Sequence, residues 1–115
     1  MQILVADDNN AAREVLSEFL AIAGHRVHRA ADGLEALAVA TRERLDVAIL
    51  DIDMPGMNGW EVAARMRDLG RGPSLRLVAL SGRSSAEDRA ASTRAGFDVH
   101  LVKPTSLGDI TRSLD

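Results

Sequence analysis

Five short runs that read as strands, four of them mainly apolar, alternate along the chain with five stretches whose apolar residues recur at helical spacing, and this alternation limits the fold more than any other feature. The runs fall at 3–6, 26–30, 47–50, 75–80 and 99–102. Strands separated by helix-length segments are joined by crossovers rather than hairpin turns, so they lie parallel and need helices over both faces of the sheet. Right-handed crossovers leave few arrangements, and for five strands the flavodoxin-like order 2-1-3-4-5 is the commonest doubly wound solution. The expectation is one α/β domain over residues 1–115, a (βα)5 unit around a five-stranded parallel sheet. A chain of 115 residues is long enough for one hydrophobic core and too short for two.

Local signals mark where the helices begin and end. Asn9 and Asn10 offer N-caps ahead of Ala12, Val15, Leu16, Phe19, Leu20 and Ala23, with Gly24 as the stop. Arg26–Ala30 reads as a short edge strand whose charges discourage pairing with another chain. Asp32 and Gly33 turn the chain into a second helix reaching about Arg44, with Leu34, Leu37 and Ala38 facing inward. Trp60, Val62, Ala63, Met66 and Leu69 form the inner face of the third, which Gly70, Arg71, Gly72 and Pro73 end. Ser84 and Glu87 fit a capping box for a fourth helix whose inward candidates are only alanines, at 86, 90, 91 and 95. Burying a methyl instead of a Leu side chain forgoes roughly 1 to 2 kcal/mol per position, so this helix is expected to be the most loosely held. A last helix takes Ser106 as its cap and Leu107, Ile110 and Leu114 as its inner side.

The expected strand order gives the polar residues their meaning. Strands 1, 3, 4 and 5 are contiguous in it, and their carboxyl ends carry Asp7 and Asp8, Asp51, Ser81 and Lys103. Strand 2 ends in Ala30 and Ala31. In open parallel sheets that rim is where ligands bind. Three carboxylates gathered there raise one another's pKa unless a cation sits among them, and magnesium suits such a site because it takes few protein oxygens and keeps several waters. Lys103, the single lysine among many arginines, adds a compact positive charge, and Ser81 followed by Gly82 offers a hydroxyl in an open spot. Metal, ammonium and hydroxyl around an in-line carboxylate describe a pocket for a transferring phosphoryl group, with Asp51 as nucleophile.

The ordered set Ile3-Leu4-Val5-Ala6-Asp7-Asp8, Asp51-Ile52-Asp53-Met54-Pro55-Gly56-Met57-Asn58-Gly59, Ala79-Leu80-Ser81-Gly82, Ala95-Gly96-Phe97-Asp98 and Leu101-Val102-Lys103-Pro104 resembles the receiver domain of two-component response regulators, the CheY-like superfamily, over essentially the whole length. The resemblance implies that Asp51 accepts a phosphoryl group from a phosphohistidine of a sensor kinase or histidine phosphotransfer protein. It implies that Asp8, helped by Asp7, holds magnesium together with Asp51 and the main-chain carbonyl of Asp53. Ser81 would bond the phosphoryl oxygens as the signalling state forms, Lys103 would pair with Asp51 and then with its phosphate, and the Lys103-Pro104 bond would be cis. Such a domain catalyses only its own phosphorylation and slow dephosphorylation. Phosphorylation would alter the face made by the fourth helix, fifth strand and fifth helix, through which a downstream protein, a fused output module or a weak homodimer would read it. Two residues depart from the family's pattern. His100 stands where Tyr or Phe usually acts as a rotameric switch, and is expected to be a partly exposed strand residue that has weakened or replaced that coupling. Asp53 places an extra negative charge on the open side of the acceptor, where Arg83 could neutralise it.

Two further readings share these residues. Asp51-Ile52-Asp53 also looks like the nucleophile motif of haloacid-dehalogenase-type phosphatases, although there the remaining acids follow the lysine, whereas Asp7 and Asp8 come first here. The chain could equally be the receiver module of a hybrid histidine kinase, acting by protein contact. A net charge of −3 gives no support to nucleic-acid binding, and the absence of cysteine excludes a thiolate nucleophile. Met1-Gln2-Ile3 enters a strand directly, without a signal-peptide pattern, and no run is long enough for a membrane span, so a cytoplasmic location is expected. With no DNA-binding segment after Asp115, either a stand-alone receiver or one excised from a longer chain is expected.

Overall fold

The computed structural model describes residues 1–70 and 74–115. Its elements alternate as the sequence leads one to expect: β1 Gln2–Ala6, α1 Asn10–Ile22, β2 Arg26–Ala30, α2 Gly33–Arg42, β3 Val47–Asp51, α3 Gly59–Asp68, β4 Arg76–Ser81, α4 Ala86–Ala95, β5 Val99–Val102 and α5 Leu107–Ser113. All strand pairings are parallel, and the sheet order is β2-β1-β3-β4-β5. Arg71, Gly72 and Pro73, assigned above to the stop of the third helix, lie outside the described residues.

Alternation along the central strands divides the core in two. On one face Leu4, Ala48, Leu50 and Leu77 pack with Ala36, Val39, Val62 and Met66 of α2 and α3. On the other, Ile3, Val47, Ile49 and Val78 pack with Leu16 and Leu20 of α1, with Ile110 of α5 and with Leu114 just after it. Every residue of β3 is buried, as a central strand covered on both faces requires, and Asp51 is its last residue. The strands therefore deliver their carboxyl ends to one rim.

The expected inner faces hold in part, with Leu16, Phe19, Leu20, Leu37, Ile110 and Leu114 on the core, while other expected positions lie at the surface. In α2 the buried positions are Gly33, Ala36, Val39 and Ala40, while Leu34 is 71% exposed and Ala38 is also exposed. Close approach to α3 explains the choice of small residues, since a Cβ on Gly33 would meet Val62 at 2.8 Å and Met57 at 3.0 Å. In α1, Val15 is 63% exposed, Ala12 and Ala23 are exposed, and Ser17 is buried beside Leu16 and Leu20. The N-cap of α4 is Ser85, whose hydroxyl accepts from the N–H of Asp88, one residue later than the Ser84–Glu87 box. Of its alanines, 86 and 90 are exposed and 91 and 95 half-buried; the fully buried residue is Ser92. Leu107 is exposed at the start of α5. Arg67, at the end of α3, donates to the carbonyls of Gly96 and Leu75 and pairs with Asp98 at 2.9 Å, tying α3 to the turn between α4 and β5.

No large apolar side chain of α4 is fully buried, whereas α1 buries two leucines. Hydrogen–deuterium exchange is expected to show weaker amide protection along 86–95 than along 10–22, because local opening of α4 exposes little apolar surface. Equal protection would contradict the packing argument.

Candidate functional site

The rim at the carboxyl ends of β1, β3, β4 and β5 collects the residues singled out from the sequence. Asp51 is only 3% exposed, and Asp7 at the end of β1 is nearly as deep at 4%. Asp8 is exposed. One carboxylate oxygen from each of these three lies within 4.8 Å of the others. Lys103, just past β5, places its ammonium 3.3 Å from Asp51 Oδ1 and 3.7 Å from Asp7 Oδ2. The Lys103-Pro104 peptide is cis.

Each side chain is positioned by main-chain bonds that the local sequence permits. The N–H of Asp53 donates to Asp51 Oδ1 at 3.1 Å, and the N–H of Asn9 donates to Asp7 Oδ1 at 2.9 Å. Asn9 in turn caps α1 by accepting from Ala12, so the cap and the acidic loop share one short turn. After Asp51 the loop doubles back, and Gly59 N–H donates to the carbonyl of Ile52. A Cβ on Gly59 would sit 2.6 Å from the carbonyl oxygen of Asp51, which leaves room for glycine alone. Asn58 caps α3 by accepting from Glu61. Ser81 ends β4 one position beyond Leu80, the partner of Asp51 in register; it is fully buried, its hydroxyl accepts from Arg83 N–H at 2.9 Å, and its carbonyl accepts from Lys103 N–H.

Asp51 carries the electrostatic tension of the site. Burial pushes its carboxyl up from the usual carboxylate range to about 6, with the charge on Asp7 adding to that push, while the Asp53 N–H and the Lys103 ammonium act against it. The two carboxylates around one lysine are short of positive charge. The donor set is all oxygen, three carboxylates with the carbonyl of Asp53 next along the loop, and it fits a hard divalent cation such as magnesium.

Asp53 and Arg83 meet at the mouth of the site, Arg83 Nε 2.9 Å from Asp53 Oδ1, so the neutralisation raised above from sequence is realised in the geometry. His100 is a half-buried residue of β5, as expected, but its ring is held more firmly than the sequence indicates. Both of its ring nitrogens are engaged, Nδ1 with Ser92 Oγ at 2.7 Å and Nε2 with the carbonyl of Arg83 at 2.9 Å. Trp60 Nε1 also donates to Ser92 Oγ, at 2.9 Å. Trp60 belongs to the expected inner face of the third helix and nothing in the sequence marks Ser92; these contacts span 32, 8 and 17 residues, distances over which no local pattern signals them.

Residues 3–115 match the family model described as the response regulator receiver domain. The response regulator MprA of Mycobacterium leprae (strain TN) is 39% identical over 110 residues, covering 96% of this chain and 47% of that protein, so the chain spans about half the length of the curated relatives it matches. A response regulator protein from Burkholderia pseudomallei, solved with a phosphorylated aspartic acid, calcium ion and citrate, superposes with a TM-score of 0.91 at 27% identity, over 99% of this chain and 66% of that one. The receiver domain of the sensor histidine kinase PA1611 from Pseudomonas aeruginosa PAO1, solved with magnesium in its active-site cleft, superposes with a TM-score of 0.88 at 29% identity, over 98% and 93% of the two chains.

The raised pKa of Asp51 sets the sign of a pH effect on the metal-free chain. A carboxyl that titrates near 6 when folded and near 3.8 when unfolded binds its proton more tightly in the folded state, so its ionisation costs stability above about pH 6 and that cost disappears as the pH falls toward 4. With a chelator present, Asp51→Asn is expected to be more stable than the parent chain at pH 8 by on the order of 1 to 3 kcal/mol, the difference closing toward pH 4. Denaturant unfolding at the two pH values measures it, and a variant less stable than the parent at pH 8 would contradict the assignment.

Proposed function

The chain belongs to the response regulator receiver domain family, and on that premise we propose that it is a phosphoacceptor module of a two-component phosphorelay in which Asp51 takes a phosphoryl group from a phosphohistidine. The observation that carries this reading is the placement of Lys103 between Asp51 and Asp7, beside the three-carboxylate cluster. A carboxylate oxygen of Asp51 attacks phosphorus as the bond from phosphorus to the donor's imidazole nitrogen breaks with its electron pair going to nitrogen, and the donor's ring, protonated on its other nitrogen, leaves as neutral imidazole. Lys103 and the N–H of Asp53 hold Oδ1 and fix the orientation of the carboxylate for in-line attack. Asp7, Asp8, Asp51 and the carbonyl of Asp53 are the residues that would hold magnesium, which supplies charge neutralisation for the transferring group. After transfer, Lys103 pairs with the phosphate and the Ser81 hydroxyl turns from Arg83 N–H toward a phosphoryl oxygen.

Asp53 and Arg83 stand where they modulate the rates, and Ser81 and His100 where they transmit the change to the face made by α4, β5 and α5. That face is the part we assign to a downstream protein, a fused output module or a weak homodimer. The chain is a receiver domain over residues 1–115 and turns over no substrate beyond its own phosphorylation and slow hydrolysis. The absence of direct contact with nucleic acid is assigned on the net charge of −3, and the site of action is taken as the cytoplasm. Among the described residues, no helix is long and apolar enough to cross a membrane. A receiver within a hybrid histidine kinase is the second reading, supported by the likeness to the receiver of PA1611. The phosphatase reading loses its ground, because family membership accounts for the same aspartates.

Magnesium is expected to raise the melting temperature by a few degrees, through binding to the folded cluster alone, and Asp51→Asn to abolish most of that gain. Acetyl phosphate with magnesium is expected to add one acid-labile phosphate, seen by intact mass and absent from Asp51→Asn. Labelling that survives the substitution would overturn the assignment of Asp51, and sustained release of many phosphates per chain from a generic phosphate ester would restore the phosphatase reading.

A further inference from the structure

Four side chains from four segments close a ring beside the mouth of the site. Trp60 of α3 donates its indole N–H to Ser92 Oγ of α4 at 2.9 Å, and Ser92 Oγ lies 2.7 Å from His100 Nδ1 of β5. His100 Nε2 lies 2.9 Å from the carbonyl oxygen of Arg83, in the loop between β4 and α4. The guanidinium of Arg83 lies over the Trp60 ring, 5.8 Å from its centroid, which completes the circuit.

The donors and acceptors fix the direction of every bond. A carbonyl oxygen only accepts, so His100 Nε2 carries the proton it shares with Arg83. In the neutral ring Nδ1 is then bare and accepts from the Ser92 hydroxyl, whose oxygen accepts from the indole N–H. Each polar atom of the chain from Trp60 to Arg83 is thus satisfied, Ser92 Oγ by both neighbours, accepting from one and donating to the other. Ser92 is the one residue of α4 that is fully buried, so the helix's deepest contact with the rest of the domain is this hydroxyl.

Arg83 is the residue the ring serves. Its carbonyl is held by His100, its N–H donates to the hydroxyl of Ser81 at 2.9 Å, and its guanidinium rests on Trp60 while pairing with Asp53 at 2.9 Å. An exposed Arg–Asp pair gains little by itself, because two long or mobile side chains must be held in one geometry. Here that ordering is supplied from main chain and ring face together.

The geometry points to Trp60, Ser92 and His100 as positioning residues of the phosphorylation site, which hold Arg83 where it masks the negative charge of Asp53 and thereby favour the approach of an anionic phosphoryl donor. This rests on the reading of Asp51 as phosphoacceptor. Opening the ring at Ser92 frees Arg83 and leaves Asp53 facing the donor with its full charge.

The test compares phosphorylation by acetyl phosphate, with magnesium, in the parent chain, Ser92→Ala, Asp53→Asn and the double variant. Ser92→Ala is expected to slow labelling by about two- to fivefold at low ionic strength, the range that screened exposed pairs allow, with the deficit shrinking as salt is added. In the Asp53→Asn background the same substitution is expected to have little effect, since no charge remains to be unmasked. Ser92→Thr, which keeps the hydroxyl, is expected to restore the parent rate. The chain has one tryptophan, so the single indole N–H resonance reports the ring directly, with slow solvent exchange in the parent and fast exchange in Ser92→Ala. Should Ser92→Ala fail to fold, Trp60→Phe opens the ring at the neighbouring bond, by removing the indole N–H that Ser92 Oγ accepts, and takes its place in the cycle. Equal rates in parent and Ser92→Ala, or the same slowing with and without Asp53, would overturn the inference while leaving Asp51 as acceptor. No labelling of the parent chain would overturn both readings.

Discussion

A carboxylate forced to the buried end of a central strand is the constraint around which the rest of this domain is arranged. Asp51 sits almost wholly out of water because β3 is covered on both faces, and the strand that makes it rigid is the one that desolvates it. One lysine shared with a second buried aspartate does not fully offset that desolvation, which is why the carboxyl titrates well above its usual range. The site is thus held in a state that a further cation or a proton relieves. On the proposed reading of Asp51 as phosphoacceptor, stability has been given up at the position of the chemistry, a pattern that perturbed titrations at functional sites often report.

The backbone around Asp51 is shaped to keep that state. The loop after β3 turns back so closely that only glycine fits at 59, and the N–H of Asp53 donates to the Asp51 carboxylate. Asp7 is held by the turn that caps α1, and Lys103 follows the end of the neighbouring β5. Each group comes from a different strand end, so the parallel sheet, and not any single loop, sets their spacing. That is the advantage of a doubly wound fold for such a site: the strands are stiff, and their ends converge.

The sheet order and the residues at the rim were legible in the sequence because both follow from alternation. Buried parallel strands need continuous apolar runs, and what ends those runs must lie at the rim. The helices were less legible, for two physical reasons. In α2 the close approach of α3 selects Gly33, Ala36 and Ala40 over the larger Leu34, so one of the segment's two leucines faces water. In α4 the buried contact is a serine, which an apolar periodicity passes over; Ser92 becomes meaningful only once Trp60 and His100 are brought beside it by tertiary packing. The same is true of Arg67, whose bonds to the turn around Gly96 carry no signal in the order of residues.

If the tension at Asp51 organises the site, it should be visible at the atom concerned. The measurement is a carbon-13 NMR titration of the Asp51 side-chain carboxyl, with and without magnesium. Without the metal the account predicts a midpoint near 6, and with saturating magnesium a midpoint shifted down toward or below the ordinary carboxylate range. A midpoint near the ordinary value in both conditions would contradict it.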